Sequence, residues 1–232
     1  IKKITFNDFQ KTLKNKQFNN AWRRGKFLIA ELKNDPHKLI FHFGMTGDFK
    51  YAKKDNLNKE DKQSAQLIIE FVNDYQLLWL NPRKLGNVYL VKDIKEIKTI
   101  KEMGPEALKL SQKEFLSLLN EHSTKNIKAF LMDQSDIAGI GNEYSNEILF
   151  QSEINPHIKI EKLSKEQRKK FYNTMKKYLK KAIELKPPDI HFPDSWLLAH
   201  QKDKKCPKNK NHQLKKETIA GRSALYCPQH QK

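Results

Sequence analysis

The sequence is poor in cysteine, in acidic residues and in long apolar segments, and each shortage excludes a class of protein. Two cysteines in 232 residues are too few for a disulfide framework, so a reducing compartment, the cytoplasm, is expected. No run of about 18 apolar residues is present that would span a bilayer. The first residues, IKKITFNDFQ, lack the apolar core of a secretion signal. A membrane partner is therefore not expected.

The shortage of acidic residues leaves a large positive charge. Lys and Arg total 45 against 27 Asp and Glu, which gives a formal net charge of +18. A charge of this size, with lysines spread along the whole chain, favours DNA, RNA or an anionic membrane surface as partner, and the missing membrane signals narrow this choice to nucleic acid. A lysine-rich proteome without functional meaning is the alternative explanation. Hydrophobic residues still make up 38%, and the length allows one large domain or two small ones.

The pattern of apolar residues divides the chain into a β-rich part and a helical part. A short helix is predicted over residues 7–13, and β-branched and aromatic residues predict several strands between residues 25 and 100. After Gly104 the period changes, and four helices are predicted. The last helix is long and nearly all lysine on its outer face, which is either a solvated surface or a DNA contact. Pro187-Pro188 is expected to end it.

Both cysteines lie near the C-terminus, and each is followed by a histidine. The spacings are Cys206-x5-His212 and Cys227-x2-His230. Thiolate and imidazole are favoured zinc ligands, and two such pairs around a hairpin form a zinc ribbon, so one structural Zn²⁺ is expected. The x5 spacing is wider than usual, which leaves His200 as the alternative to His212. A disulfide between the cysteines, with unrelated surface histidines, is the other interpretation.

A glycine-rich turn precedes the third predicted helix. Gly139-Ile140-Gly141 interrupts the helical pattern, and Asn142 opens the helix. Glycines at this place leave backbone N–H groups bare, and such groups bind phosphate together with the helix dipole. Many turns share the pattern, but in a chain of this charge it predicts phosphate binding.

The segment MDQSDIAGIGNEYSNEILFQSEINP resembles the helix–two-turn–helix motif of the formamidopyrimidine-DNA glycosylase and endonuclease VIII family. Blocks similar to this family follow the same order elsewhere: RRGKFLIAEL, FHFGMTG, NPRKLG, MGPEAL and AGRSALYCPQHQK. The resemblance covers nearly the whole chain and implies an α+β fold. It implies a β-sandwich domain, incomplete at its start, over residues 1–104, a helix–two-turn–helix domain over 105–199 and a zinc finger with a β-hairpin over 200–232.

The resemblance also implies roles for residues in the matching blocks. Asn142, with Gly141 and Lys128 beside it, would hold a phosphate flanking the lesion. Lys26 and Arg222 would be catalytic, the second at the tip of the finger hairpin. The residues implied to contact DNA around an extruded base, as wedge or as phosphate ligand, are Met45, Arg83, Lys84 and Leu85. Without the resemblance, the two apolar residues among these would be ordinary core residues, and Lys26 and Arg83 would be surface charges.

The implied function is base-excision repair by a monomer in the cytoplasm or on the nucleoid. The family acts as DNA glycosylase and abasic-site lyase on damaged bases in double-stranded DNA. Its members start with a Pro nucleophile and a Glu, whereas this chain starts at Ile1, so no nucleophile is named. A fragment of an active glycosylase is one interpretation, and a non-catalytic, zinc-containing damaged-DNA-binding protein is the other. Leu85 and Lys84 also replace Phe and Arg of the family, and two His replace two of its four Cys.

Overall fold

The computed structural model describes residues 1–185 and 191–232. The chain divides into two compact units, Ile1–Lys101 and Glu102–Lys232. This division lies three residues before the end of the domain predicted over residues 1–104. The further boundary predicted at residue 200 stays a prediction. The expected helix stop at Pro187-Pro188 lies outside the described residues. The predicted α+β class, with sheets first and helices after, is confirmed.

The first unit contains two antiparallel sheets. Its elements are α1 (Phe6–Leu13), β1 (Phe18–Arg24), β2 (Phe27–Leu32), β3 (Lys38–His42), β4 (Asp48–Lys53), α2 (Lys59–Ser64), β5 (Ala65–Glu70), β6 (Tyr75–Leu80), β7 (Asn87–Val91) and α3 (Lys98–Lys101). One sheet has the order β1-β2-β3-β7 and the other the order β4-β6-β5. The short helix predicted at residues 7–13 is present as α1, whose N-terminus is capped by Thr5 through the backbone N–H of Asp8.

Apolar side chains from both sheets form one core in this unit. Leu39, Phe41 and Val88 of the first sheet cluster with Leu67 and Trp79 of the second. The two sheets therefore face each other across this cluster as a sandwich. Strand β1 was not predicted, because most of its residues are polar and exposed at the edge of the sheet.

The second unit is helical and ends in two small hairpins. Its elements are α4 (Gln112–Glu121), α5 (Ile127–Met132), α6 (Asn142–Gln151), α7 (Lys165–Glu184), β8 (Lys205–Cys206), β9 (Asn209–Gln213), β10 (Lys215–Ile219) and β11 (Arg222–Tyr226). Phe115 of α4, Phe130 of α5, Ile148 of α6 and Phe171 of α7 meet in its core. This core holds α6 in place, and the hairpins follow it along the chain.

Candidate nucleic-acid interface and metal centre

Two loops of the first unit meet through close backbone contacts. Gly44, in the loop between β3 and β4, has φ +67°, and a Cβ there would lie 2.8 Å from the carbonyl carbon of Leu85. Gly86, in the loop between β6 and β7, would place a Cβ 2.6 Å from the carbonyl oxygen of His42. A side chain at either position would push the loops apart, so glycine permits them to pack backbone to backbone.

The paired loops present apolar and cationic side chains to solvent. Met45 is 65% exposed and Leu85 is 50% exposed. Arg83 and Lys84, which precede Leu85 in the loop between β6 and β7, are also exposed. The interpretation of Met45 and Leu85 as core residues is therefore wrong. The structure places Met45 on one of these packed loops and Arg83, Lys84 and Leu85 on the other, and the DNA contacts implied for them stay predictions.

Lys26 lies at the turn between β1 and β2. It is exposed, and it follows Gly25, which has φ +54° and whose carbonyl oxygen accepts a hydrogen bond of 2.7 Å from Nη1 of Arg23. Burial, and then the positive charge of Lys26, hold the pKa of His42 below its ordinary value. Lys26 thus lies near His42, at the end of β3, and its charge disfavours protonation of this histidine.

The glycine turn before α6 is fixed by one side chain. Nε2 of Gln134 donates a hydrogen bond of 2.9 Å to the carbonyl oxygen of Ile140, and Oε1 of Gln134 accepts one of 3.0 Å from the N–H of Gly139. Gly139 has φ +100°, which favours glycine. Gly141 is the N-cap of α6 and supplies no side-chain acceptor. The N-cap residue therefore leaves the first N–H groups of this helix without a side-chain acceptor, and phosphate binding at this turn stays a prediction.

Lys128 lies beneath the start of α6 rather than on the surface. Its side chain is 0% exposed, and its Nζ donates to Oδ1 of Asn142 at 3.0 Å. It also donates to Oγ of Ser145 at 3.0 Å and to Oδ1 of Asn146 at 2.6 Å. Burial lowers the pKa of Lys128 to about 8. Because a lysine can only donate, the contacted end of the Asn142 amide is its oxygen, and its NH₂ group faces away from Lys128.

Glu147 is a buried carboxylic acid that the sequence analysis missed. Its Oε2 accepts a hydrogen bond of 3.0 Å from the N–H of Leu198, and its Oε1 accepts one of 2.8 Å from Nε2 of Gln151. Burial raises the pKa of Glu147 to about 7. The side chain thus attaches the segment before the finger to α6. The signal in the sequence was a lone acidic residue directly before the apolar run Ile148–Phe150.

The finger hairpin presents Arg222 at its tip. Strands β10 and β11 pair from Lys215 with Tyr226 to Ile219 with Arg222. The two turn residues, Ala220 and Gly221, have φ +49° and +73°, as a two-residue hairpin turn of type I′ requires. Arg222 is exposed.

The finger rests on α6. Phe150 of that helix forms one buried cluster with Leu197, Leu214, Leu225 and both cysteines. Nε2 of the buried Gln231 donates a hydrogen bond of 2.8 Å to the carbonyl oxygen of Ile154, so the end of the chain is fixed to the loop that follows α6. Gln231 had no signal in the sequence.

The Cys/His segment forms a cluster that could hold a metal ion. The ligand atoms of Cys206, His212 and Cys227 lie within 4.8 Å of one another, and both cysteines are buried free thiols. The disulfide interpretation is therefore wrong. Nδ1 of His212 and Nε2 of His230 are buried without a hydrogen-bond partner among the described residues. Burying a polar nitrogen without a hydrogen bond or a metal ion costs folding free energy. Thiolates together with imidazole nitrogens are a set of ligands that zinc favours.

The fourth predicted ligand is less closely placed. His230 is outside the group of three, although its ring packs against Phe150 at 4.6 Å between centroids, so its place as ligand stays a prediction. The alternative ligand, His200, uses both ring nitrogens elsewhere. Nδ1 contacts Oδ2 of Asp203 at 3.0 Å, and Nε2 contacts the carbonyl oxygen of Asp194 at 2.8 Å. The structure therefore favours His212 over His200.

Among the helices at residues 1–185 and 191–232, none combines the length and the apolar character that crossing a bilayer requires.

Comparison with known proteins gives consistent matches along the chain. The family model of the formamidopyrimidine-DNA glycosylase N-terminal domain matches residues 1–88, and that of the formamidopyrimidine-DNA glycosylase H2TH domain matches residues 103–194. A formamidopyrimidine-DNA glycosylase of Histophilus somni is 30% identical over 234 residues, which are 95% of this chain and 84% of the relative. One of Arabidopsis thaliana is 30% identical over 99% of this chain, which spans 62% of that relative.

Solved structures agree with these matches. The complex between the Lactococcus lactis Fpg and an abasic site containing DNA has a TM-score of 0.81 at 29% identity, over 98% of this chain and 86% of that one. A complex of the same protein with a FAPY-dG containing DNA has a TM-score of 0.81 at 28% identity, with the same coverage.

Proposed function

The chain belongs to the formamidopyrimidine-DNA glycosylase family, and from this membership we propose that it is a base-excision repair protein acting on double-stranded DNA. Its substrates are damaged bases, and its partner is DNA with such a base or an abasic site. The relatives bear the name of this glycosylase, and the similar structures are complexes with abasic-site and damaged-base DNA. Action as a monomer on DNA in the cytoplasm or nucleoid belongs to the same proposal.

The observation that carries the proposal is the exposure of Met45 and Leu85. An enzyme that works on a base must take it out of the stack. An apolar side chain inserted into the gap, with an arginine beside it, stabilises the unstacked duplex. The paired loops supply both, because Arg83 lies two residues before Leu85 and is exposed. Lys84 adds a positive charge for the phosphate backbone.

The grip on the backbone belongs to the second unit. The bare N–H groups after Gly141 and the outward NH₂ group of Asn142 are donors suited to one phosphate. Arg222, exposed at the hairpin tip, would bind a further phosphate with its fork of N–H groups. These contacts give affinity, and the loops of the first unit give preference for a damaged site.

Catalysis requires release of the base and then elimination at the abasic site. Lys26 and Arg222 would neutralise the phosphate that leaves in the second step, because both are exposed cations whose charge opposes the developing negative charge. We name no nucleophile. If borohydride traps the chain on abasic-site DNA, Lys26 is the first candidate, since lysine amines form Schiff bases with sugar aldehydes.

The cysteine and histidine cluster would hold one structural Zn²⁺. Cys206, His212 and Cys227 would bind it, with Nε2 of His230 as the fourth donor. The ion would cross-link the segments of the finger and would take no part in the chemistry at the DNA. The cross-link would fix the hairpin that presents Arg222.

Fluorescence anisotropy with an abasic-site duplex and an undamaged duplex of the same sequence tests the proposal. We expect tighter binding to the abasic site. Equal affinity for both would contradict the proposal. Damaged-DNA binding without catalysis is the second candidate function, and sodium borohydride separates it from lyase activity, since it reduces the iminium to a stable link. Trapping of the chain on abasic-site DNA supports the lyase, and binding without trapping supports the second candidate. Lys26→Ala then tests the nucleophile.

A further inference from the structure

Lys128 is a buried cation, and among residues 1–185 and 191–232 no carboxylate is recorded in contact with its Nζ. Its three donors are used on three neutral oxygen atoms, those of Asn142, Ser145 and Asn146. An ammonium group taken out of water normally requires an opposite charge or a large cost in free energy. The groups that stabilise Nζ of Lys128 here are neutral dipoles, so its positive charge is not compensated by a negative one.

The charged groups on the neighbouring elements are directed elsewhere. Asp133, at the end of α5, contacts Nζ of Lys125 at 2.8 Å, and Asp136 contacts the same Nζ. On α6, Glu143 is exposed, and Glu147 accepts hydrogen bonds from Gln151 and from the N–H of Leu198. Burial is the one cause that lowers the pKa of Lys128, without a contribution from a neighbouring charge.

The position of Lys128 adds a second positive feature. It contacts the first turn of α6, through Asn142 and Ser145, where the helix dipole places its positive end. Oγ of Ser145 donates onward to the carbonyl oxygen of Asn142 at 2.7 Å, so side chain and backbone of Asn142 are both held. A cation and a helix N-terminus repel each other, and an anion outside the turn offsets both.

We propose that Lys128 is a positioning residue for DNA: it holds the amide oxygen of Asn142, so that the amide NH₂ group faces a phosphate of the backbone, and this phosphate supplies the missing counter-charge. The proposal rests on the proposed DNA-binding function. It differs from direct phosphate contact by Lys128, which its burial opposes. The ligand is one phosphodiester of a DNA duplex.

The arrangement links binding to a proton. Below pH 8, Lys128 is charged both in the free protein and in the complex, and affinity is independent of this group. Above pH 8, the free protein loses the proton from Lys128, whose pKa is about 8, whereas a bound phosphate keeps it there. Binding then takes up a proton, and affinity falls by up to about tenfold per pH unit.

A double-mutant cycle measured by anisotropy on an abasic-site duplex at pH 7 and pH 9 tests the proposal. Lys128→Met is expected to weaken binding about tenfold at pH 7 and to reduce the loss of affinity at pH 9. Because Lys128 acts through Asn142, the double variant with Asn142→Ala should bind no more weakly than the weaker single variant. Lys113→Met, which removes an exposed charge from α4, should leave the pH dependence unchanged. Additive losses with an unchanged pH dependence would overturn the inference.

A measurement on the unaltered protein covers the case in which Lys128→Met does not fold. The ¹³Cε resonance of Lys128 is titrated by NMR with and without abasic-site DNA. We expect the pKa to rise on binding, and an unchanged pKa overturns the inference. If the wild-type chain binds no DNA, the proposed function fails and the inference with it. If DNA binds and Asn142→Ala weakens binding while the pKa of Lys128 stays constant, the inference alone fails.

Discussion

The two loops proposed to wedge the DNA (the wedge loops, around Met45 and Leu85) and the groups proposed to bind its phosphates (the phosphate grip, at Asn142 and Arg222) are built in opposite ways. In the loops, Met45 and Leu85 face solvent, and their position depends on backbone contacts of two glycines. Beneath the grip, polar side chains such as Lys128 and Glu147 are buried and hydrogen bonded within the second unit. Replacing an exposed side chain costs little stability, whereas disturbing a buried polar network costs much. Variants of the two regions should therefore fail differently.

The largest effect is expected from loss of the metal cluster. Cys206→Ala should abolish metal binding, and in zinc-finger peptides structural zinc contributes on the order of 10 kcal/mol at neutral pH. The hairpin of β10 and β11 should then lose its fixed structure, and affinity for abasic-site DNA should fall by more than about tenfold. Elemental analysis and anisotropy measure both.

The matched control for this variant is Cys227→Ala, which should behave in the same way because both thiols belong to one group. A folded protein that contains no zinc when purified with zinc present would contradict the assignment. If His230→Ala retains full zinc content, the fourth ligand is a different residue or a water molecule.

Glu147 should show the next largest effect, on the pH dependence of stability. Its pKa is raised from 4.5 to about 7 by burial. Its stabilising contribution is complete below pH 4.5, where the carboxyl is neutral in both states. It is lost as pH rises through about 7, because the unfolded state ionises first. A shift of this size corresponds to roughly 3 kcal/mol.

Glu147→Gln keeps an acceptor for the N–H of Leu198 and removes the charge. It should therefore be more stable than the wild type at pH 8 and should lose most of the pH dependence. Glu147→Ala leaves this N–H without its partner and should be destabilised by about 1–3 kcal/mol at low pH. Urea denaturation at pH 4.5 and pH 8 measures the free energies of unfolding. A difference in stability between the wild type and Glu147→Gln that is the same at pH 4.5 and at pH 8 would contradict the account.

Substitutions in the wedge loops should change DNA preference and leave the fold intact. The double variant Met45→Ala with Leu85→Ala should reduce the preference for abasic-site over undamaged DNA about tenfold, since the gap in the stack loses its apolar filling. Its free energy of unfolding should change by no more than about 0.5 kcal/mol. Val72→Ala is the matched control, because Val72 is a fully exposed apolar residue on the hairpin between β5 and β6. A comparable loss of preference in the control would show that the loops are not the wedge.

The smallest effect is expected at the tip of the finger. Arg222→Ala should lower the slope of log affinity against log salt concentration by about one unit, because one phosphate contact releases about one counterion. Arg222→Lys should keep the slope. An unchanged slope for Arg222→Ala would place this arginine outside the contact with the backbone.

Much of the fold was predictable because its signals are local. The glycine turn before Asn142 is a pattern of adjacent residues, and α6 begins there as predicted. The spacing of Cys206 and His212 is also a short-range pattern, and their ligand atoms lie close together. The strands between residues 25 and 100 followed from side-chain composition. Strand β1 was missed because it lies at the edge of its sheet, where polar residues can face solvent. Such a strand lacks the run of β-branched and aromatic residues by which strands are predicted.

What the residues alone left open depends on tertiary contacts. Without the family resemblance, Met45 and Leu85 would have been taken as core residues, because their exposure depends on how two distant loops pack and periodicity carries no such information. The burial of Lys128 and Glu147 arises from α6 lying against α5 and against the segment before the finger. A polar residue in an apolar helix stripe is the one hint that the sequence offers for such groups.

The central claim is that the wedge loops determine the preference for abasic-site over undamaged DNA, whereas the phosphate grip determines the affinity for both. One set of binding isotherms tests it most directly. The wild type, the Met45 and Leu85 double variant and Asn142→Ala are titrated against abasic-site and undamaged duplexes at fixed salt and pH. The account predicts that the loop variant loses the ratio between the two affinities and that Asn142→Ala weakens both about equally. A loop variant that weakens both duplexes equally, or an Asn142→Ala variant that loses only the ratio, would contradict it.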